Sequence, residues 1–136
     1  MSRSGYSDDC ESWELICWRG AVAKVIRSKR GQAFLLEMWK AMQSLSEKKL
    51  IAGELEKDGA VCAIGAVGKS RGIDMSGIDP EDYEAIASAF GIQPKLAQEI
   101  MFMNDEARWN IDPDTRFAHM KKWVEDNLGP VFDDAD

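Results

Sequence analysis

The sequence predicts an all-α protein, a single compact domain of five or six helices. Three observations carry that prediction. Between Phe34 and Leu45 the apolar residues Phe34, Met38, Ala41, Met42 and Leu45 return every three or four positions, the period of one face of a helix. Asp-Pro pairs followed by further acid stand at Asp79-Pro80 and Asp112-Pro113. Each reads as an N-cap with proline in the first turn and negative charge at the positive end of the helix dipole. No internal repeat of roughly 20 to 50 residues and no long linker divides the chain.

The elements follow in order. Ser7 to Asp9 offer a cap for a first helix with Leu15, Trp18, Val22 and Val25 on one stripe and Trp13, Ile16, Cys17 and Gly20 on the next, so that it is buried over a wide arc. Gly31 marks a break before a second helix on the Phe34 to Leu45 stripe, flanked by Leu35 and Trp39. Ser46 to Lys49 reads as a polar connection or a new helical start, and Leu50-Ile51-Ala52 with Leu55 fits either a short helix or a short strand. Asp58-Gly59 opens the small-residue run AVCAIGAVG, which Arg71-Gly72 ends. The helix after Asp79 buries Tyr83, Ile86, Ala87 and Phe90. The helix after Asp112 buries Phe117, Met120, Val124 and Leu128, with Trp123 adjoining, and Gly129-Pro130 stops it. The domain so defined covers residues 10–128, between a flexible N-terminus at 1–9 and an acidic C-terminal tail at 129–136. Phe34, Met38, Ile64, Phe90, Ile100, Phe117 and Val124 are expected to share one core.

Composition fits this picture. With 136 residues, 45% apolar and 30% charged, the chain is long enough to bury roughly two-thirds of its unfolded surface. No apolar run approaches the roughly 20 residues of a membrane span, and MSRSGYSDDCESW lacks the apolar core of a signal peptide. The expected location is the cytoplasm, with no membrane partner. Cys10, Cys17 and Cys62 are an odd number without Cys-x-x-Cys spacing or a nearby histidine, so they read as buried or free thiols. A net charge of −7 opposes indiscriminate affinity for nucleic acid, which depends on cations neutralising phosphates. The charge is uneven, however. No acid lies between Leu15 and Leu36, while Arg19, Lys24, Arg27, Lys29 and Arg30 make that segment strongly basic, and acids crowd both ends of the chain.

Several stretches invite a functional reading. Gly65-Ala66-Val67-Gly68-Lys69-Ser70 approaches a phosphate-binding loop, but the first glycine the motif requires falls on Ala63, and GELEKDGAVC upstream has no β-branched run to form the strand that delivers such a loop. The alternative is a slim helix: Ala60, Ala63, Gly65, Ala66 and Gly68 leave little side-chain bulk, so another helix can approach closely, offsetting about 1 kcal/mol of helix propensity per glycine. Glu84 to Ile100 resembles a helix-turn-helix, with Phe90-Gly91-Ile92 at the turn. A DNA reader built on it would use Gln93, Lys95 and Gln98, although Glu99 opposes phosphate and Met101, Phe102 and Met103 add apolar bulk. The basic stretch Arg19 to Arg30 is a candidate partner-binding surface; dipole complementation at a helix end and pairing with the acidic remainder also account for it. Trp109, beside Arg108, is a candidate recognition aromatic. His119 has no serine or cysteine at a nucleophilic spacing and reads as a solvated helix position. Asn104, Asp105, Glu106, Asp112 and Asp114 gather oxygens, but their order matches no calcium loop. No catalytic residue, cofactor or metal site is expected.

RGQAF from Arg30 to Phe34, LIAGEL followed by DGAVCAIGAVGKSRGID, LAQEI…NDE from Leu96 to Glu106, and DPDTRFAHMKKWV together resemble small uncharacterised proteins of bacteriophages and prophages of proteobacteria, over most of the chain from Trp18 to Leu128. That resemblance carries no catalytic residues. It implies a setting in which small acidic proteins occupy surfaces of host proteins, including defence complexes, as anti-CRISPR-like inhibitors do. The reading reached is a non-enzymatic protein-binding module acting on a host protein or complex in the bacterial cytoplasm. The alternative is a helix-turn-helix DNA-binding regulator.

Overall fold

Short-range signals set most helix ends in this chain, and contacts between distant segments set the rest. The computed structural model describes residues 12–105 and 111–129, with side chains from Arg19 onward. Within them lie six helices, α1 (Ser12–Arg27), α2 (Lys29–Gln43), α3 (Ala63–Arg71), α4 (Tyr83–Phe90), α5 (Pro94–Asp105) and α6 (Pro113–Asn127), and one antiparallel ribbon, β1 (Glu56–Lys57) with β2 (Ala60–Val61). The protein is therefore all-α in class. α5 packs against α1, α3, α4 and α6, while α2 packs against α1, α3 and α6. The seven residues expected to share a core are all buried in one cluster.

The turn between α1 and α2 differs from expectation. The break falls at Ser28, whose extended backbone starts α2 and whose Oγ accepts from Gly31 N at 3.0 Å while donating to Val25 O at 2.7 Å. Gly31 lies inside α2, buried against the carbonyls that end α1. A Cβ there would overlap Val25 O, so this glycine permits a close approach and breaks nothing. Gly20 is exposed, whereas Val22 and Ile26 form the inward face. The cap placed at Ser7 to Asp9 and the side chains of Trp13 to Trp18 lie outside the described residues.

Asp58 and Gly59 both have positive φ, 53° and 87°, the pairing a two-residue hairpin turn needs. They join β1 to β2, so Ala60 belongs to a strand and not to the small-residue helix. Leu50 to Leu55 is neither helix nor strand. It is a partly buried irregular connection whose amides still find partners, Leu50 N on Pro113 O at 3.1 Å and Ile51 N on Val61 O at 2.9 Å.

α3 begins at Ala63 with Cys62 as N-cap, its Sγ accepting from Gly65 N at 3.3 Å, and ends on Gly72 in the left-handed conformation. The near-P-loop is thus helical throughout, with Lys69 Nζ donating to Gly59 O at 3.3 Å. Its small residues do admit a close neighbour, but the neighbour at Gly65 is not a helix. A Cβ on Gly65 would overlap the carbonyl of Leu55, and one on Gly68 would press into the Met75 side chain.

α4 starts three residues later than expected. Asp82 caps it through Ala85 N at 3.0 Å, and Asp79 instead holds Glu81 N at 2.9 Å in the preceding turn. Asp112 caps α6 as expected, through Thr115 N at 2.8 Å. Arg71, at the end of α3, ties α2 to α4: it grips both Glu37 oxygens at 2.6 and 2.7 Å, donates to Phe90 O at 3.2 Å, and lies 5.9 and 5.8 Å from the ring centres of Phe34 and Phe90.

Candidate partner-binding face

The basic segment folds into the corner where α1 hands over to α2, and three helix ends hold that corner. Ser28 closes α1 and opens α2, as above. Gln32 then staples both to the end of α6: its Nε2 donates to Ile26 O at 2.8 Å and Asn127 O at 3.0 Å, and its Oε1 accepts from Gly129 N at 2.8 Å. No local pattern announces Gln32, because its partner on α6 is far off in the chain. The corner is therefore a fixed platform for the charges it carries.

Arg19, Lys24, Arg27, Lys29 and Arg30 are all exposed on it. Lys24 and Arg27 sit in the last turn of α1, where cations complement the negative end of the dipole. Lys29 and Arg30 occupy the first turn of α2, which has no acid, and there the dipole disfavours positive charge. Among the described residues none of the five forms an ion pair; the pairs present join Lys57 to Glu54, Arg71 to Glu37, Lys121 to Glu125 and Lys122 to Asp126. Dipole complementation thus accounts for two of the five cations, and pairing with an acid among the described residues accounts for none.

Two hollows flank α1 at this corner. One, of about 400 Å³, runs between α1 and the end of α6 and is floored by Val22, Ala23, Ile26 and Leu128, with Arg19 and Arg27 on its walls. The other, of about 180 Å³, brings Arg30 beside Gln93 over Val25, Ile92 and Leu96.

α4 and α5 make the helix-turn-helix-like pair, joined through Gly91 at φ 73°. The three residues of the DNA-binding alternative line two different hollows. Gln93 precedes α5 and faces the Arg30 hollow, whereas Lys95 and Gln98 line a separate concavity with Asp79, Glu81, Asp82 and Glu84. A phosphate approaching Lys95 would meet four carboxylates. Glu99 is buried and borders the hollow between α1 and the end of α6.

Of the remaining candidates, Trp109 and Glu106 lie outside the described residues. His119 is half-buried, less solvated than expected. Asn104 is a buried structural node: Oδ1 accepts from Ala63 N at 3.1 Å, Nδ2 donates to Ile51 O at 2.9 Å and Asp105 Oδ1 at 2.6 Å, and its carbonyl accepts from Arg116 Nε at 3.0 Å. Burial pushes the Asp105 carboxyl above its ordinary value. Among the described residues no group of three or more His, Cys, Asp or Glu is placed to hold a metal, and no helix is long and apolar enough to cross a membrane. Comparison with protein-family models, curated proteins and solved structures finds no match.

Proposed function

We propose that the protein acts by stoichiometric binding to another protein, through the basic corner formed by Arg19, Lys24, Arg27, Lys29 and Arg30. One observation carries this reading: Lys29 and Arg30 stand where the helix dipole opposes them, and no carboxylate among the described residues pairs with any of the five. Exposed charge that costs the fold stability is what a docking surface for an acidic partner requires, since complementary charge steers encounter and selects the partner. The likeness to small phage proteins supplies the setting, in which the partner is a host protein or defence complex and binding occupies its surface.

The test uses the immobilised full-length chain in bacterial lysate. A partner should be retained in a fixed ratio at about 0.1 M salt and released near 0.5 M, where the screening length shrinks to a few ångströms. A variant with all five cations changed to Gln should fold normally and retain nothing. Equal retention by that variant refutes the reading.

DNA regulation draws support from one feature, the meeting of Arg30 and Gln93 in a single hollow. It requires salt-dependent retention of duplex DNA by the unmodified chain that substitution of Gln93 abolishes.

A further inference from the structure

The hollow between α1 and the end of α6 narrows the chemistry of that partner. Arg19, Val22, Ala23, Ile26 and Arg27 line it from α1, and their numbering repeats the spacing of one helix face. Val22 and Ile26 are buried and form the floor with Leu128, while the two arginines rise at either end. Eight residues of helix separate Arg19 from Arg27, about 12 Å along the axis. Two acids also border the groove. Asp126 is engaged by Lys122 at 2.7 Å, and Glu99 is buried. The groove thus presents outward the two guanidinium groups with an apolar strip between them, and on its α6 side the exposed Asp126 carboxylate paired with Lys122.

Resting on the protein-binding reading above, we infer that this groove receives an acidic amphipathic helix of the partner, with apolar residues at its centre and carboxylates seven or eight positions apart. Seven or eight residues of helix span about 10 to 12 Å, which matches the separation of the arginines. Apolar side chains three and four positions after the first carboxylate then face Val22, Ala23 and Ile26. A helix suits the groove better than a strand. Its backbone hydrogen bonds are internal, whereas an extended segment would bring backbone groups against α1 and α6, whose own are already paired. Guanidinium groups at both ends add bidentate capture of carboxylate and fix the register.

The experiment measures fluorescence anisotropy of a labelled synthetic helical peptide carrying Glu-x-x-Leu-Leu-x-x-Glu, titrated with the full-length protein. Saturable one-to-one binding is expected. It should weaken about tenfold when both Glu are changed to Gln, when the two Glu are moved to four positions apart, or when the protein carries Arg19→Gln with Arg27→Gln. Lys40→Gln, which alters an exposed cation in the last turn of α2 that neither lines the groove nor belongs to the basic corner, should change binding less than twofold. Affinity of the unmodified pair should also fall steeply with salt, a readout that needs no variant. Indifference to carboxylate spacing, absence of saturable binding, or full binding by the double variant would overturn the inference. So would a dimer of the protein alone that the double variant dissociates, because the occupant would then be a second copy. If the lysate partner is lost on neutralising all five cations but not on changing Arg19 and Arg27 alone, the groove assignment fails while the protein-binding reading stands.

Discussion

Gly65 and Gly68 lie one turn apart on α3 and illustrate how a residue's role is set by the atom it faces. Alanine at either site gains about 1 kcal/mol of helix propensity. At Gly65 the added Cβ meets the Leu55 carbonyl, which already accepts from Cys62 N at 3.1 Å and cannot retreat without breaking that bond. Gly65→Ala should therefore lower stability by about 2 to 4 kcal/mol, read as a drop in urea midpoint. At Gly68 the Cβ meets the flexible side chain of Met75, so Gly68→Ala should stay within about 1 kcal/mol of the unmodified protein. Equal losses at the two sites would show that the backbone contact is not decisive. Cys62 gives a pH test on the same helix. Burial pushes its thiol from the ordinary 9.0 up to about 12, so the fold favours the neutral form. That contribution is fully present below the unfolded value of 9.0 only in the sense that the neutral thiol costs nothing there; above it the unfolded chain ionises while the folded one does not, so the fold loses stability as pH rises from 9 towards 12. In a background of Cys10→Ser and Cys17→Ser, the urea midpoint should fall more steeply between pH 9 and 11 with Cys62 present than with Cys62→Ala. The Cys62 thiol should react with a disulfide reagent only as the protein unfolds.

Among the polar points that join elements, Arg71 and Asn104 each make a prediction. The Arg71 hydrogen bonds hold the Glu37 carboxyl below its ordinary 4.5, stabilising the fold above that value and losing effect as pH falls through the lowered one. Glu37→Gln should thus lower the melting temperature at pH 7, while the two proteins converge near pH 3. A difference that persists in acid would mean that packing on Phe34 and Phe90, not charge, does the joining. Asn104→Ala would leave Ala63 N and Ile51 O without their side-chain partner, at a cost of about 2 to 4 kcal/mol, and should speed hydrogen exchange at the Ala63 amide. These joints also mark where sequence reading stops. Asp112 was legible as a cap because its partner, Thr115 N, is three residues away. Asp79 and Asp82 are the same residue type, and the backbone N–H that each accepts from, Glu81 N and Ala85 N, shows that only the second caps α4. Gly31 reads identically as a break or as a close approach until Val25 O stands beside it. The cations of the corner are visible in the sequence, but the opposition of Lys29 and Arg30 to a helix dipole depends on a boundary at Ser28, three residues before the expected one. Gln32 has no local signal at all.

At the scale of the whole molecule, charge is sorted into two surfaces that a net charge of −7 conceals. The α1–α2 corner presents five cations, and the concavity ahead of α5 presents Asp79, Glu81, Asp82 and Glu84 around Lys95 and Gln98. Duplex DNA carries a phosphate charge about every 1.7 Å, so a reading helix bordered by four carboxylates repels it before any base is reached. On this reading the acids at that site, rather than a lack of donors, are expected to oppose DNA at the helix-turn-helix-like pair. Changing Asp79→Asn, Glu81→Gln and Glu84→Gln together removes three of the four charges. The Asp82 cap of α4 stays in place, and the amide oxygen introduced at position 79 can still accept from the backbone N–H of residue 81. This variant should keep its melting temperature within a few degrees, retain duplex DNA at about 0.05 M salt where the unmodified protein does not, and release it by about 0.2 M. Its capture of a protein partner should be unchanged, because all five cations of the basic corner remain. If the unmodified protein already binds duplex DNA and loses it on Lys95→Gln, the acids are not the barrier and the pair reads DNA in spite of them.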